Sequence, residues 1–454
     1  MPVADRVFPT DMRSIPKIFS AALALWLLAF APLASSYSVL THEAVIDTAW
    51  EHSIKPLLLK RYPTASEEQL REAHAYVYGG CIVQDMGYYP FGSRFFSDLT
   101  HYVRSGDFIR SLLDESQNMY EYAFALGALA HYASDNTGHP LAINPSVPVI
   151  YPKLAAKYGN NVTYEDDPKA HLLVEFSFDV VQIAGSGYSP ETYHNYVGFK
   201  VSKPVLERAF KKTYGLSLPD LFTSEDLAIG TYRRAASEII PQMTRIAWKK
   251  RRKEIMKLQP GVTRRRYVYS VSRAQYEATW DGNYNRHMQS EWRRYSTNRI
   301  FGRPLRDKAA KPGLLAGFLV FIFRIVPKVG PFRTLSFKIP PPETERLFTK
   351  SVTTTVERYR NLLQEAKTGH PMLKNMDFDT GNPTQPGEYQ LADETYSKLL
   401  DKLAGQKFAG ITPELRTNIL AFYGNLSAPI ATKKDAGHWR KTLDELESLR
   451  RAAR

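Results

Sequence analysis

The chain has 454 residues, enough for one large or two medium domains, and its 43% hydrophobic residues can supply a sizeable core. A single cysteine, Cys81, excludes an internal disulfide and a zinc site built from cysteines. The net charge of +14 is concentrated, because residues 231–300 hold 17 Lys and Arg against 5 Asp and Glu, a net of +12. Such a segment suits anionic lipid headgroups, nucleic acid or cell-wall polymers, and charge alone does not choose among them.

The N-terminus has the layout of a secretory signal peptide. Residues 18–31 form an apolar run too short for a comfortable membrane span, with basic residues before it and small residues after it. We therefore predict that residues 1–36 are a signal peptide and that Tyr37 begins the mature chain. The protein would then be exported, either secreted or held in the periplasm or cell envelope. The alternative is an uncleaved anchor helix.

The spacing of apolar residues predicts helices over 42–60 and 64–78, with His42 in the first turn of the first one. Glycines and a proline interrupt the helical pattern in residues 79–92, which leaves Asp85 at a helix end or in a loop. Aromatic residues follow Asp85, and they either line a lipid or base pocket or pack in the core: Tyr88, Tyr89 and Phe91.

A long apolar helix predicted over 116–137 carries the most informative stretch, LGALAHYASDNTGH. In it, His131, Asp135 and His139 follow one another at intervals of four, so they share one helix face. The small apolar residues around them predict that this face is buried, where His and Asp need partners. All three are metal-ligand types, and Asp135 is central enough to bridge two ions. The alternative is a polar face turned to solvent.

A proline-rich segment, 140–168, is predicted to be irregular, and a helix resumes over 170–181 with His171 and Glu175 on one face. His101 lies between these regions in DLTHYV. One histidine alone would suggest a core residue, but the joint pattern suggests a metal cluster with shared ligands. The candidates are His42, Asp85, His101, His131, Asp135, His139, His171 and Glu175.

The C-terminal half gives weaker signals. Residues 245–257 predict a strongly basic helix, whose charged face either is solvated or contacts an anionic surface. Residues 313–327 are apolar and suit a buried core helix or a segment lying in a membrane interface. Residues 340–345 resemble a linker, and 377–390 a polar loop or disordered segment. Residues 392–454 return to amphipathic helix, so the chain as a whole is predicted to be all-α and multi-helical.

Several of these motifs together resemble the zinc-dependent phospholipase C family, which is related to the fungal-type single-strand nucleases and to glycosylphosphatidylinositol-cleaving phospholipase D. They are YSVLTHEAV (37–45), GGCIVQD (79–85), LTHYV (99–103), LAHYASDNTGH (129–139) and HLLVE (171–175). The resemblance covers about residues 37–240 and implies a helical catalytic domain. We predict that this domain extends over residues 37–257. Residues 258–454 are left as a basic, mostly helical region of unknown role.

The resemblance also implies a cluster of up to three zinc ions. One site would use Asp85, His101, His131 and Asp135. A second would use His139, His171 and Glu175, and a third His42, Asp135 and the free amine and carbonyl of Tyr37. The short HxxxDxxxH spacing is closer to the phospholipase D branch, and Glu175 stands where the nucleases tend to have Asp, which favours a phospholipid substrate. Zinc-activated water would attack the phosphorus of a phosphodiester, with Asp85 as the preferred residue to orient the water or take its proton.

Three hypotheses follow from the sequence. The first is a secreted, metal-dependent phosphodiester hydrolase of phospholipase C type, held near an anionic membrane surface by residues 231–300. The second is a zinc-dependent single-strand nuclease, in which the basic segment tracks a phosphate backbone and bases stack on Trp248, Trp280 or Trp292. The third is a non-catalytic envelope protein stabilised by zinc. Structural zinc sites are usually rich in cysteine, which argues against the third.

Overall fold

The computed structural model describes residues 39–89, 91–183, 199–222, 224–234, 240–258, 260–267, 338–369 and 371–452. Within these residues the chain is helical apart from loops and one isolated bridge between Met376 and Pro383. This confirms the predicted all-α class. The predicted signal peptide, Tyr37, the apolar segment 313–327, Trp280 and Trp292 lie outside the described residues.

The helices before the long basic segment are α1 (Val39–Ala49), α2 (Lys55–Arg61), α3 (Glu67–Gly80), α4 (Arg94–Tyr102), α5 (Ser105–Asp114), α6 (Met119–Gly138), α7 (Asn144–Ile150), α8 (Pro152–Tyr158) and α9 (Pro168–Ser177). They are followed by α10 (Lys203–Tyr214), α11 (Glu225–Arg234), α12 (Ile240–Leu258), α13 (Arg264–Tyr267), α14 (Pro342–Thr368), α15 (Gln390–Gly405), α16 (Pro413–Phe422) and α17 (Ala436–Arg451). Turns of π-helix directly follow α1, α6 and α9, at Trp50–Ile54, His139–Ile143 and Phe178–Ile183. Single π-helical turns are frequent at functional sites, and these three helices carry predicted metal ligands.

Helix α6 runs through the centre of the core. The side chain of Asn118 accepts hydrogen bonds from the backbone N–H groups of Tyr120 and Glu121, which fixes the start of the helix. Almost every residue of α6 is buried, as expected of a helix that is apolar around its whole circumference. The observed bounds agree with the prediction over 116–137.

Two glycines let α3 lie unusually close to α6. A Cβ atom on Gly127 would lie 2.1 Å from the carbonyl oxygen of Val77, and one on Gly80 would lie 2.0 Å from that of Phe124. Glycine is therefore required where these two backbones meet. The close approach brings the carbonyl group of Cys81 next to α6, where it contacts His131.

Helices from the C-terminal part pack on the same core. The hydroxyl of Tyr359 in α14 donates to the carbonyl oxygen of Leu126 in α6 at 2.9 Å. Buried side chains of α14, α15 and α17 join those of α1–α7, α9 and α10 in one hydrophobic cluster. The predicted domain boundary at residue 257 stays a prediction, and the described helices on its two sides share a core.

Two predictions about proline-rich stretches are wrong. Residues 140–168 contain helices α7 and α8, and Pro342, inside the predicted linker 340–345, begins α14. Pro152 and Pro342 begin α8 and α14, where the missing N–H removes no hydrogen bond. Helix α7 continues directly from a π-helical turn, with Pro145 in its first turn and Pro148 in its interior. None of the described helices is both long enough and apolar enough to cross a membrane.

Candidate metal centre

Helix α6 presents the predicted row of side chains to a buried site. His131 and Asp135 lie one turn apart, with Nε2 of the histidine 3.0 Å from Oδ2 of the aspartate. His139 follows as the first residue of the π-helical turn. All three side chains are buried, so this face points into the protein. The alternative prediction, a polar helix face turned to solvent, is therefore wrong.

A first cluster forms where α4 and the 3₁₀ turn Gln84–Tyr88 meet α6. Nε2 of His101 lies 3.3 Å from Oδ1 of Asp85 and 3.5 Å from Oδ2 of Asp135. It also lies 3.3 Å from Nε2 of His131. The four side chains predicted for the first zinc site therefore converge in one buried group.

The outer nitrogen of each ring in this cluster is held by a backbone carbonyl group. Nδ1 of His101 lies 2.8 Å from the oxygen of Ser97, and Nδ1 of His131 lies 2.9 Å from the oxygen of Cys81. Each Nδ1–H donates to its carbonyl, which leaves the Nε2 lone pair of a neutral ring facing the cluster. Two such lone pairs at 3.3 Å repel each other unless a cation lies between them.

The carboxylates of this cluster favour positive charge on the neighbouring rings. Burial alone lowers the pKa of His101, but hydrogen bonds to Asp135 and Asp85 outweigh it and raise the pKa to about 10. Burial alone raises the pKa of Asp135, but the neighbouring His131 and His101 bring it well below its usual value. The cluster therefore has a strong affinity for positive charge.

His42 approaches Asp135 from the other side. Its Nε2 lies 3.5 Å from Oδ1 of Asp135, while Oδ2 faces the first cluster, and its ring stacks on that of His131 at 4.6 Å. The two carboxylate oxygens thus point toward different histidines, as a bridging ligand requires. Tyr37, predicted to complete this third site, lies outside the described residues.

Asp179 holds the first turn of α1 in place, a role that sequence reasoning missed. Its carboxylate accepts hydrogen bonds from the backbone N–H groups of Leu40 and Thr41 at 2.7 and 3.1 Å and from the Thr41 hydroxyl at 2.5 Å. A carboxylate at a helix N-terminus satisfies the first N–H groups, which have no partner inside the helix. Asp179 therefore fixes the turn that carries His42.

A second cluster forms between the end of α6 and α9. Oε1 of Glu175 lies 2.8 Å from Nε2 of His171 and 3.6 Å from Nε2 of His139. Neither oxygen of Glu175 accepts a hydrogen bond from the described part of the chain, although both are buried. Burial, and then the charges of Asp85 and Asp135, raise the pKa of Glu175 well above its usual value, and burial lowers the pKa of His171 to about 4. A bound cation would reverse both shifts, because it favours the carboxylate and occupies the imidazole lone pair.

The structure adds a carboxylate that the sequence analysis did not include. Oδ1 of Asp379 lies 3.1 Å from Nδ1 of His139 and 3.9 Å from Nε2 of His171. Asp379 belongs to the segment 377–390, predicted to be a polar loop or disordered; it is a loop, and Asp379 is buried in it. The local signal is weak, consisting of acidic residues on either side of a phenylalanine in DFDTG.

The side chains fit a divalent cation such as zinc. Ligand atoms lie within 4.8 Å of one another in two groups: Asp85 with His101, His131 and Asp135, and His139 with His171 and Asp379. Nitrogen and carboxylate oxygen are ligands that zinc prefers. The buried carboxylates of this region would repel one another without positive charge among them. The number of ions and the ligand role of each residue stay predictions.

Aromatic side chains surround the clusters. The ring of Tyr88, which is partly exposed, lies 5.8 Å from that of His101 and 6.2 Å from that of Tyr164. Tyr89 is buried against Tyr232, so of the two alternatives for these aromatic residues it follows core packing. Tyr88 lies at the edge of the first cluster, and whether it lines a substrate pocket stays a prediction.

Residues 41–222 match the family model described as zinc dependent phospholipase C. The match contains every predicted ligand from His42 to Glu175 and confirms the resemblance drawn from the motifs. No curated protein and no solved structure matches the chain. Asp379 lies beyond the matched residues.

Proposed function

Because residues 41–222 match the family model described as zinc dependent phospholipase C, we propose that the chain belongs to this family and is a zinc-dependent phosphoric diester hydrolase that cleaves phospholipids in the manner of a phospholipase C. The observation that carries the proposal is the position of Asp135 between two groups of buried histidines, with one oxygen toward His42 and the other toward His101 and His131. A shared carboxylate between adjacent ions is a typical feature of metal centres that hydrolyse phosphodiesters.

In this proposal, some residues of the centre bind the metal ions and others take part in the reaction. Zinc, when bound, polarises a phosphoryl oxygen and lowers the pKa of a coordinated water. His101 and His131 hold their Nε2 atoms toward the centre because carbonyl groups fix their outer nitrogens. Asp85, 3.3 Å from His101, is placed to orient the attacking water and accept its proton.

The first test compares substrates. Purified protein is offered phosphatidylcholine vesicles, a chromogenic phosphocholine ester and single-stranded DNA, each with and without a chelator. Turnover of the lipid and ester alone, abolished by the chelator, is the expected result. Turnover of DNA alone would replace the proposal with the nuclease. Absence of turnover in a zinc-loaded protein would support the non-catalytic envelope protein.

The second test changes Asp85 and keeps its size. D85N leaves a side chain of the same shape that cannot take a proton, so we expect turnover to fall by at least about 100-fold, the usual contribution of general base catalysis. The matched control is D47N, since Asp47 pairs with His74 at 3.0 Å outside both clusters. Full activity in D85N would remove Asp85 from the reaction.

We also propose that a basic face formed by α12 and α13 brings the protein to anionic membranes. Arg245, Lys249, Arg252 and Arg264 surround Trp248 at a cavity of about 420 Å³. These charged side chains are exposed, whereas Trp248 is only 7% exposed and packs on Tyr267, which leaves little ring surface for stacking on a base. The face therefore suits attraction by phosphate groups more than stacking.

Vesicle sedimentation tests this contact. We expect binding to vesicles that contain phosphatidylserine, weaker binding as salt is raised, and little binding to neutral vesicles. The double change K249E/R252E should weaken binding without changing hydrolysis of the soluble ester. Equal binding to both kinds of vesicle would contradict the proposal.

Export is the remaining part of the proposed function. Cleavage after Ser36 would leave Tyr37 with a free amine five residues before His42, within reach of the third site. Mass spectrometry of the protein recovered from outside the producing cell should identify Tyr37 as its first residue. A full-length chain retained in the membrane would support the anchor helix instead.

A further inference from the structure

The loop that follows α14 is attached to the elements that form the metal centre. The N–H of Phe378 donates to the carbonyl oxygen of His101 at 3.2 Å, and the Phe378 ring lies 5.2 Å from the His101 ring. The Ser105 hydroxyl donates to the Met376 carbonyl oxygen at 2.7 Å and accepts from the Met376 N–H at 2.8 Å. The C-terminal part of the chain thus reaches the centre and covers one side of the first cluster.

Asp379 is the residue of this loop that contacts the second cluster. Its Oδ2 accepts hydrogen bonds from the N–H of Tyr164 at 2.8 Å and from the hydroxyl of Tyr389 at 2.6 Å. Its own carbonyl oxygen accepts from Nδ2 of Asn144 at 2.8 Å. These contacts fix the carboxylate so that Oδ1 faces Nδ1 of His139 at 3.1 Å.

The carboxylates of Glu175 and Asp379 differ in their hydrogen bonds, which indicates a different role for each at the second cluster. Both oxygens of Glu175 are buried and accept no hydrogen bond from described residues, while one of them lies 2.8 Å from Nε2 of His171. In Asp379, by contrast, each oxygen already has a hydrogen-bond partner. Lone pairs that are already used by N–H and O–H donors are poor candidates for metal coordination, so Glu175 is the better ligand and Asp379 the better acceptor.

We propose that Asp379 is a positioning residue for the second zinc site, in which it accepts a hydrogen bond from Nδ1–H of His139 and turns Nε2 of that ring toward Glu175 and His171. This inference rests on the proposed function, because it assumes that zinc occupies the centre. A carboxylate behind a histidine ligand fixes both the ring orientation and the tautomer and makes the ligand nitrogen more basic. The catalytic segment matched by the family model would then depend on a residue outside it.

The test measures zinc affinity and zinc content in the full-length protein. Substitution of such an outer residue typically lowers metal affinity by roughly 10–100-fold. We therefore expect D379A to weaken one zinc per chain by that factor, measured by competition with a chelating indicator. Elemental analysis at saturating zinc should still find the same content as in the wild type, because all direct ligands remain. D379N keeps an amide oxygen that can face Nδ1–H, so its loss should be smaller.

D393N is the matched control. Asp393 is equally buried in the C-terminal part, but it accepts from the N–H groups of Gly387 and Ala431 rather than from a metal ligand. Its zinc affinity should equal that of the wild type. Circular dichroism of each metal-free variant checks that the helices are intact.

Each other outcome overturns the inference in a distinct way. Unchanged zinc affinity in D379A would show that Asp379 does not act on the centre. Loss of one whole ion at saturating zinc would make Asp379 a direct ligand. Equal losses in D379N and D379A would show that the charge, rather than the acceptor, matters. If the wild type itself bound no zinc, the proposed function would fail before this inference was tested.

Discussion

Asp135 is the residue whose replacement tests the metal centre most directly. Its oxygens face His42 at 3.5 Å on one side, and His131 at 3.0 Å and His101 at 3.5 Å on the other. D135N keeps the shape of the side chain but offers one oxygen and one amide group, so it can no longer bridge two ions. We expect purified D135N to contain about two zinc ions fewer per chain than the wild type, since the first and third sites share this ligand.

The loss should also appear in thermal stability. A ligand present at 100 times its dissociation constant stabilises the fold by about 2.7 kcal/mol per site, so two sites contribute roughly 5 kcal/mol. For chains of 150–250 residues, 1 kcal/mol shifts the melting temperature by roughly 2–4 °C, and the shift is smaller for larger chains. For this longer chain, saturating zinc should therefore raise the melting temperature of the wild type by roughly 5 °C more than that of D135N.

The assay is differential scanning calorimetry of metal-free and zinc-loaded protein, with zinc content measured on the same samples. D47N is again the matched control, because its carboxylate pairs with His74 outside the clusters and its zinc content should not change. An equal zinc content and an equal zinc-dependent shift in D135N and wild type would refute the bridging role of Asp135.

Three further changes have defined outcomes. D179N removes an acceptor from the first turn of α1, so the metal-free protein should lose roughly 1–3 kcal/mol of unfolding free energy; unchanged urea denaturation would contradict the anchoring role. Burial raises the pKa of Glu225 to about 7, against the effect of Lys203 at 3.4 Å, so its proton is bound more tightly in the fold than in the unfolded chain. Stability is then lost as the pH rises from about 4.5 through 7, and E225Q, which mimics the protonated form, should gain up to roughly 3 kcal/mol over wild type at pH 8 and little at pH 4; an equal gain at both values would show another cause. Zinc should leave the wild type on acidification, because His and carboxylate ligands must be deprotonated to bind it; zinc content after dialysis at pH 4 measures this, and full retention would indicate other ligands.

The sequence predicted best what depends on local spacing. His131, Asp135 and His139 lie four apart, and a helix converts that interval directly into a shared face. The same is true of His171 and Glu175 on α9. Asp85 was predicted at a helix end because glycine and proline interrupt the pattern there, and it lies in a short 3₁₀ turn. The family resemblance supplied which of these separate helices meet.

What the sequence did not predict depends on contacts between distant parts of the chain. Asp379 lies 240 residues after His139, and Asp179 lies 139 residues after Leu40, so no local spacing connects either pair. Acidic residues in a polar loop usually face solvent, and Asp379 differs because Phe378 and Met376 attach the loop to the core. Proline-rich stretches misled the prediction for α8 and α14, since the first turn of a helix accepts proline as readily as a loop does. Helix α7 also contradicts the prediction, and it holds Pro148 in its interior.

The position of the centre links metal binding to folding of the whole chain. Four carboxylates and five histidines are buried together in the helical core: Asp85, Asp135, Glu175, Asp379, His42, His101, His131, His139 and His171. Removing these groups from water is unfavourable unless positive charge or hydrogen bonds compensate them. The compensation comes from distant segments, because Asp179 fixes the turn of His42 and the loop after α14 supplies Asp379. The centre has all of these contacts only when the C-terminal helices have packed on α6. We therefore expect tight zinc binding to require that both parts of the chain are folded and packed together, and not that either part is folded alone.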